Sequence, residues 1–171
     1  TAVDQAAIVT AKLKEAQTEF GKLLPGKKAE AKKASEGATK ELAELKKIAE
    51  DKAIDGLDAA DKKKITDAYA AAVAAEKLSV EANTKAQAAT DLAVATTEAK
   101  TAVDQAAIVT AKLKEAQTVI TEKEKQEAMK KAKIKFANDV LAEKKITGMK
   151  AIEEKGEIYL EDSTGTTTER R

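Results

Sequence analysis

Residues 1–18 read TAVDQAAIVTAKLKEAQT, and the same eighteen residues recur without a change at 101–118. In both copies the apolar side chains recur at alternating intervals of four and three. This spacing is the a/d pattern of a heptad repeat, which is typical of a helix that packs against other helices in a coiled coil. The predicted coiled-coil seam consists of Ala2, Ala6, Val9, Leu13, Ala16, Phe20 and Leu23 around the first copy, and of Ala102, Ala106, Val109, Leu113, Ala116 and Ile120 around the second.

The identity of the two copies extends to surface positions, where packing places little constraint on residue type. A heptad seam constrains only about five positions in eighteen, so residues such as Gln5, Lys14 and Gln17 could have differed freely. Two interpretations stay open. In the first, gene slippage copied a serviceable amphipathic helix. In the second, both copies occupy equivalent positions in an assembly, and the first helix of one chain mimics the 101–118 segment of a neighbour.

The first copy is followed by Pro25-Gly26. Proline disfavours helical backbone at the preceding residue, and glycine can adopt positive φ, so this pair predicts a helix end. A second helix is expected from about Lys28 to Lys52, and the short connection makes the two helices neighbours. The sequence therefore predicts an antiparallel helical hairpin over residues 1–58, with Asp58 or Asp61 as the N-cap of the next helix.

Residues 59–145 contain neither Pro nor Gly, and their apolar residues keep helical spacing throughout. One stripe comprises Ile65, Ala68, Ala72, Ala75, Ser79, Ala82, Ala86, Ala89, Ala93 and Thr96. The phase of the pattern slips around Ala99, which a continuous helix can absorb as a stutter. We therefore expect one very long coiled-coil helix over residues 59–147. The alternative is a break near Thr96–Thr97 or near Glu122–Lys125, because both stretches lack strong apolar residues.

The last part of the chain, residues 148–171, changes in character. Gly156–Glu161 is rich in β-branched and aromatic residues and predicts a short β-strand. Ser163–Arg171 is polar and predicts a flexible or extended tail. Together the segments predict an all-α fold: an N-terminal helical hairpin, one very long coiled-coil helix, and a short C-terminal β-strand or extended tail.

The composition bounds the possible functions. Charged residues make up 36% of the chain and aromatic residues 2%, and Ala dominates the apolar share, so the sequence favours long thin helices over a thick core. The chain has no His and no Cys. This excludes Ser-His-Asp and Cys-His catalysis and zinc sites of the Cys/His type. We expect no enzyme activity, no cofactor, no metal site and no small-molecule substrate.

The expected partners follow from charge and hydrophobicity. A formal net charge of +1 gives no global attraction for nucleic acid. The apolar faces are mostly Ala, whereas helices that insert at membranes usually present Trp, Phe or Leu, so we expect no membrane insertion. The apolar seam on these Ala-rich faces would remain exposed to water unless another helix covered it. The sequence thus predicts a homo-oligomer or docking along another helical protein.

These features indicate a structural or assembly protein, an elongated coiled-coil stalk, spacer or collar subunit at an extracellular surface or in a virion. The C-terminal residues Ile158, Tyr159 and Leu160 are the predicted attachment to a partner, through pairing with its sheet edge. The alternative is a helical binding module, an adhesin or scaffold, which presents the hairpin tip at residues 23–28 to a partner protein.

Overall fold

The computed structural model describes residues 2–154, 157–162 and 167–168, and these are mostly helical. The elements of this described part are α1 (Ala2–Glu50), a 3-10 helix (Lys52–Gly56), α2 (Ala59–Ala88), α3 (Leu92–Glu143), β1 (Met149–Glu154), β2 (Glu157–Asp162) and β3 (Thr167–Thr168). The chain divides into two compact units, residues 1–118 and 119–171. The boundary between the units falls inside α3, whereas the predicted segments ended at residues 58 and 147.

The predicted hairpin at Pro25 is wrong, because α1 runs through this residue without interruption. Gly26 keeps a negative φ and so does not make the turn that was expected of it. Pro25 removes one hydrogen bond to the carbonyl of Gly21, but Gly21 is exposed, and water can solvate that carbonyl. The flanking sequence is rich in Ala, Lys and Glu, which favour helix strongly enough for the element to continue.

The predicted single helix over residues 59–147 is also wrong, since it is divided into α2 and α3. The C-cap Ala89 is extended, with ψ of 134°. The carboxylate of Asp91 then accepts hydrogen bonds from the N–H groups of Ala93 (2.7 Å) and Val94 (3.1 Å). An N-cap therefore starts α3 without any Gly or Pro. Of the two predicted N-caps of α2, Asp58 and Asp61, the structure uses Asp58, which accepts from the N–H of Asp61 at 2.8 Å.

The first unit is a three-helix bundle made by the C-terminal half of α1, by α2 and by the part of α3 up to residue 118. The predicted stripe of α2 is buried from Ile65 to Ala89. Ala93 and Thr96, which were expected to continue it, are exposed because α3 starts with a new phase. One cluster at the α2–α3 end of the bundle consists of Ala31, Ala82, Ala86, Ala99 and Ala102, with Ala34 packed against it.

In the second unit a small antiparallel sheet packs on the C-terminal part of α3. The order is β1-β2-β3, and β1 pairs with β2 from Met149 opposite Asp162 to Glu154 opposite Glu157. The N–H of Ala151 donates to Oδ1 of Asn138 at 2.7 Å, which joins the sheet to the helix. The predicted C-terminal strand is confirmed as β2, whereas β1 was not predicted. Most of the predicted tail lies outside the described residues.

Candidate assembly surface

The N-terminal half of α1 carries an uncovered apolar seam. Every residue from Val3 to Leu23 is exposed, including Val9 at 66% and Leu13 at 58%. We call Ala6, Val9, Leu13, Ala16, Phe20 and Leu23 the free seam. The side chain of the remaining predicted seam residue, Ala2, lies outside the described residues.

The corresponding positions of the second copy pack in the bundle. We call Ala102, Ala106, Val109, Leu113 and Ala116 the buried seam. Within it, Val109 is 0% and Leu113 6% exposed, while Ala106 is half-buried. The remaining predicted seam residue, Ile120, follows the second copy and belongs to the second unit, where it is half-buried. The same seam positions are thus exposed in the first copy and buried or half-buried in the second.

Hydrogen bonds show what the second copy packs against. The hydroxyl of Ser79 in α2 donates to the carbonyl oxygen of Ala102 at 3.0 Å, and both residues are buried. The hydroxyl of Thr110 donates to Oε2 of Glu41 in α1 at 2.5 Å. Thr110 also contacts the carbonyl of Ala106 in its own helix at 3.2 Å, as its counterpart Thr10 contacts that of Ala6 at 2.8 Å, so the contact to α1 is what the second copy adds. In this chain the repeated sequence is therefore able to pack between two helices, and its first copy lacks them.

The positions of the helix ends explain why the free seam has no neighbour within its unit. Lys28 Nζ donates to the carbonyl of Gln87 at 2.8 Å, and Nε2 of Gln87 donates to the carbonyl of Lys28 at 2.8 Å. The end of α2 therefore lies level with Lys28, and α3 begins a few residues later. Because the chain turns back here, α2 and the start of α3 accompany α1 only from about this residue onward.

Charges beside the free seam are on the surface and weakly coupled. Lys22 and Glu19 form an exposed ion pair at 3.1 Å, and such pairs contribute little to stability. The charges beside the seam are thus free to exchange partners at low cost.

Elsewhere in the unit, at the start of α2, a hydrogen bond to Asp61 and the charge of that residue raise the pKa of Lys64 above its ordinary value.

The three predicted attachment residues lie in β2, but their side chains are on two faces of the sheet. Ile158 and Leu160 line an apolar cavity of about 290 Å³ against α3, whose other lining residues include Phe136 and Val140. Tyr159 alternates to the opposite face, and its hydroxyl donates to Oε2 of Glu157 at 3.0 Å. The structure therefore does not gather the three into one surface, and their role in attachment stays a prediction.

Sequence reasoning missed two concave surfaces. One is the cavity against β2, and the other is a shallow groove of about 390 Å³ between α1 and α3, with a floor of small residues that includes Ala34, Gly37 and Ala107. The spacing of Phe136, Val140 and Leu141 along one helix face could have indicated the cavity. The groove had no comparable signal, because it depends on which faces of α1 and α3 meet.

Over residues 2–154, 157–162 and 167–168, no three Asp or Glu side chains come together as a possible metal site. None of the helices in this described part is both long and apolar enough to cross a membrane. No protein-family model, curated protein or solved structure matches the chain. The function is therefore inferred from the free and buried seams.

Proposed function

We propose that the chain is a structural or assembly protein that acts by packing its helices against other chains, as a coiled-coil stalk, spacer or collar subunit of a cell surface or virus particle. The observation that supports this most is the contrast between the two copies of one sequence. The buried seam packs in the bundle, whereas the free seam presents the identical Ala6, Val9, Leu13 and Ala16 to solvent.

The energy available from covering the free seam is substantial. Burial of a Val, Leu or Phe side chain is worth about 1.5–3 kcal/mol, and the seam exposes Val9, Leu13, Phe20 and Leu23. These residues recur along one face of the helix, and contiguous exposed apolar patches mark interaction sites. A second copy of the chain or another helical protein is the kind of partner that a heptad seam fits.

Replacement of Val9 by Lys tests this proposal. A charge in the seam would have to be desolvated in any helix-packed complex, so we expect the V9K chain to be monomeric at concentrations where the unchanged chain self-associates. Sedimentation velocity over a concentration series measures this. Because Val9 is exposed, helix content by circular dichroism should stay unchanged.

The matched control is Ile8→Lys. Ile8 is the neighbour of Val9 and is 57% exposed, but it lies outside the heptad seam. We expect I8K to associate as the unchanged chain does. An unchanged chain that remains monomeric at high concentration, or equal effects of V9K and I8K, would argue against assembly through this seam.

The second candidate is a helical binding module, an adhesin or scaffold. Its predicted hairpin tip is absent, since residues 23–28 lie within α1. A different observation favours it: the apolar cavity at Phe136, Val140 and Leu160 is open to solvent, and Phe136 is largely exposed. Binding of a partner protein that is lost in Phe136→Lys and kept in V9K would support this candidate over the first.

A further inference from the structure

We propose that two copies of the chain pair through residues 6–23 of α1 as an antiparallel coiled-coil dimer, with its two-fold axis between Lys14 and Glu15. This inference rests on the proposed function and deepens it, because it names the partner of the free seam. The partner is the free seam of a second copy.

Pairing of two free seams follows from the number of seams in each chain. In the part of the chain that the structure describes there are two such seams, and one pair of helices, α1 and α2, receives one of them. Residues 1–18 of one copy could instead replace residues 101–118 in the bundle of another copy. This exchange would cover one free seam but would expose the buried seam that it displaces. That exchange would also expose Ala95 and Ala99 of α3, which are fully buried now. Two free seams packed on each other are both covered, and no existing contact is lost.

The sizes of the seam residues favour the antiparallel direction. A parallel pair sets each position against itself, so that Phe20 would face Phe20 in the layer next to Ala16 against Ala16. Such uneven layers do not pack well. In the antiparallel pair, a positions face d positions. The layers are then Ala6 with Leu23, Val9 with Phe20, and Leu13 with Ala16, each formed twice by the symmetry. Every large residue of the free seam is covered in this arrangement.

The charges beside the seam select the register. Lys12 and Glu19 occupy g positions, which face each other in an antiparallel pair, so Lys12 of each copy meets Glu19 of the other. A shift by one heptad in one direction sets Lys12 against Lys12 and leaves Leu23 without a layer. A shift in the other direction places the start of α1 of the second copy opposite Ala34 of the first, where α1 is already packed in its own bundle. In the proposed register, the start of α1 of the second copy instead lies opposite Lys27 of the first, just before the bundle begins.

The point at which the two copies diverge agrees with this pairing. The identity ends at residues 18 and 118, after which the first copy has Glu19-Phe20 and the second has Val119-Ile120. Val119 and Ile120 are half-buried in α3. Glu19 and Phe20 are the residues that the dimer needs opposite Lys12 and Val9. The sequence after the first copy thus differs from that after the second at residues 19 and 20, which contact the second chain in the proposed dimer.

Charge reversal tests the register. We expect Lys12→Glu and Glu19→Lys each to raise the dimer dissociation constant about tenfold at low salt, because two attractive pairs become repulsive. The double variant K12E/E19K should return it to within about twofold of the unchanged chain. The matched control is Lys112→Glu, at the same place in the buried copy, which should leave the dissociation constant unchanged.

Cysteine crosslinking tests the direction. The chain has no Cys, so single substitutions give unambiguous products. We expect a mixture of L13C and A16C chains to form a disulfide-linked heterodimer under a mild oxidant, faster than either variant alone. A parallel pair would give the opposite result, with each variant linking to itself.

The outcomes separate this inference from the proposed function. If the unchanged chain is monomeric at all concentrations, both fail. If the chain self-associates but ignores charge reversal, or links L13C to L13C, the antiparallel pairing is wrong and the proposed function stands. Rescue by K12E/E19K together with the mixed disulfide would support both.

Discussion

Leu13 and Leu113 show at the scale of a residue how much environment depends on packing. They occupy the same position in two identical segments, yet the first is exposed and the second is buried. The local sequence gives both the same helix propensity and the same seam position. Their energetic contributions must therefore differ through tertiary contacts alone.

This difference predicts unequal effects of one substitution. Leu113→Ala should lower the free energy of unfolding by about 2–5 kcal/mol, because it leaves a cavity in the bundle. Leu13→Ala should change it by less than about 0.5 kcal/mol in dilute solution, as expected for an exposed position. Urea denaturation followed by circular dichroism measures both. Equal losses would contradict the burial of one copy and the exposure of the other.

Pro25 illustrates the scale of the element. A proline within a helix lacks a hydrogen-bond donor and crowds the carbonyl four residues earlier, which usually ends or kinks the helix. In α1 the residues on its C-terminal side, such as Ala31 and Ala38, are held in the bundle, and those on its N-terminal side favour helix intrinsically. The element therefore continues through an unfavourable residue.

Pro25→Ala distinguishes the continuous helix from the hairpin that the sequence predicted. In a continuous helix the substitution restores a hydrogen bond, so we expect higher helix content and a gain in stability of up to about 3 kcal/mol. The companion variant Gly26→Ala should add about 0.5–1 kcal/mol, since a Cβ at this position meets no atom within 4 Å. In a hairpin turn both changes would destabilise the protein, and thermal melts would show it.

The break between α2 and α3 shows why element boundaries were predicted poorly. The prediction gave most weight to Pro and Gly, and so placed a turn at Pro25 and none at Asp91. The structure uses a carboxylate cap at Asp91 and tolerates the proline. The phase slip around Ala99 did contain the information, because a change of helix resets which residues face the core. Periodicity alone could not tell a reset of this kind from a stutter.

At the scale of the whole molecule, the bundle has a core made mostly of Ala, and of few large residues such as Leu45, Ile65 and Val109. Small side chains bring helices close but remove little apolar area from water. We therefore expect the proposed association to add substantially to the stability of one chain.

This predicts unfolding that depends on protein concentration. A partner that binds only the folded state stabilises it by about 2.7 kcal/mol when present at a hundred times its dissociation constant. We expect the melting temperature of the unchanged chain to rise with concentration, and that of V9K to remain constant. A melting temperature that is independent of concentration in both would contradict assembly through the free seam.

The sequence by itself determined the helical class, the stripe of α2 that faces the core, an aspartate N-cap at the start of α2 and the strand around Tyr159. These depend on spacing and capping over a few residues, which local physical chemistry decides. Tertiary structure alone decided where the chain turns back and, through that, which copy of one eighteen-residue segment is covered. A heptad seam indicates that a helix can pack against another helix. Whether a helix of the same chain lies beside the seam depends on where the neighbouring helices end.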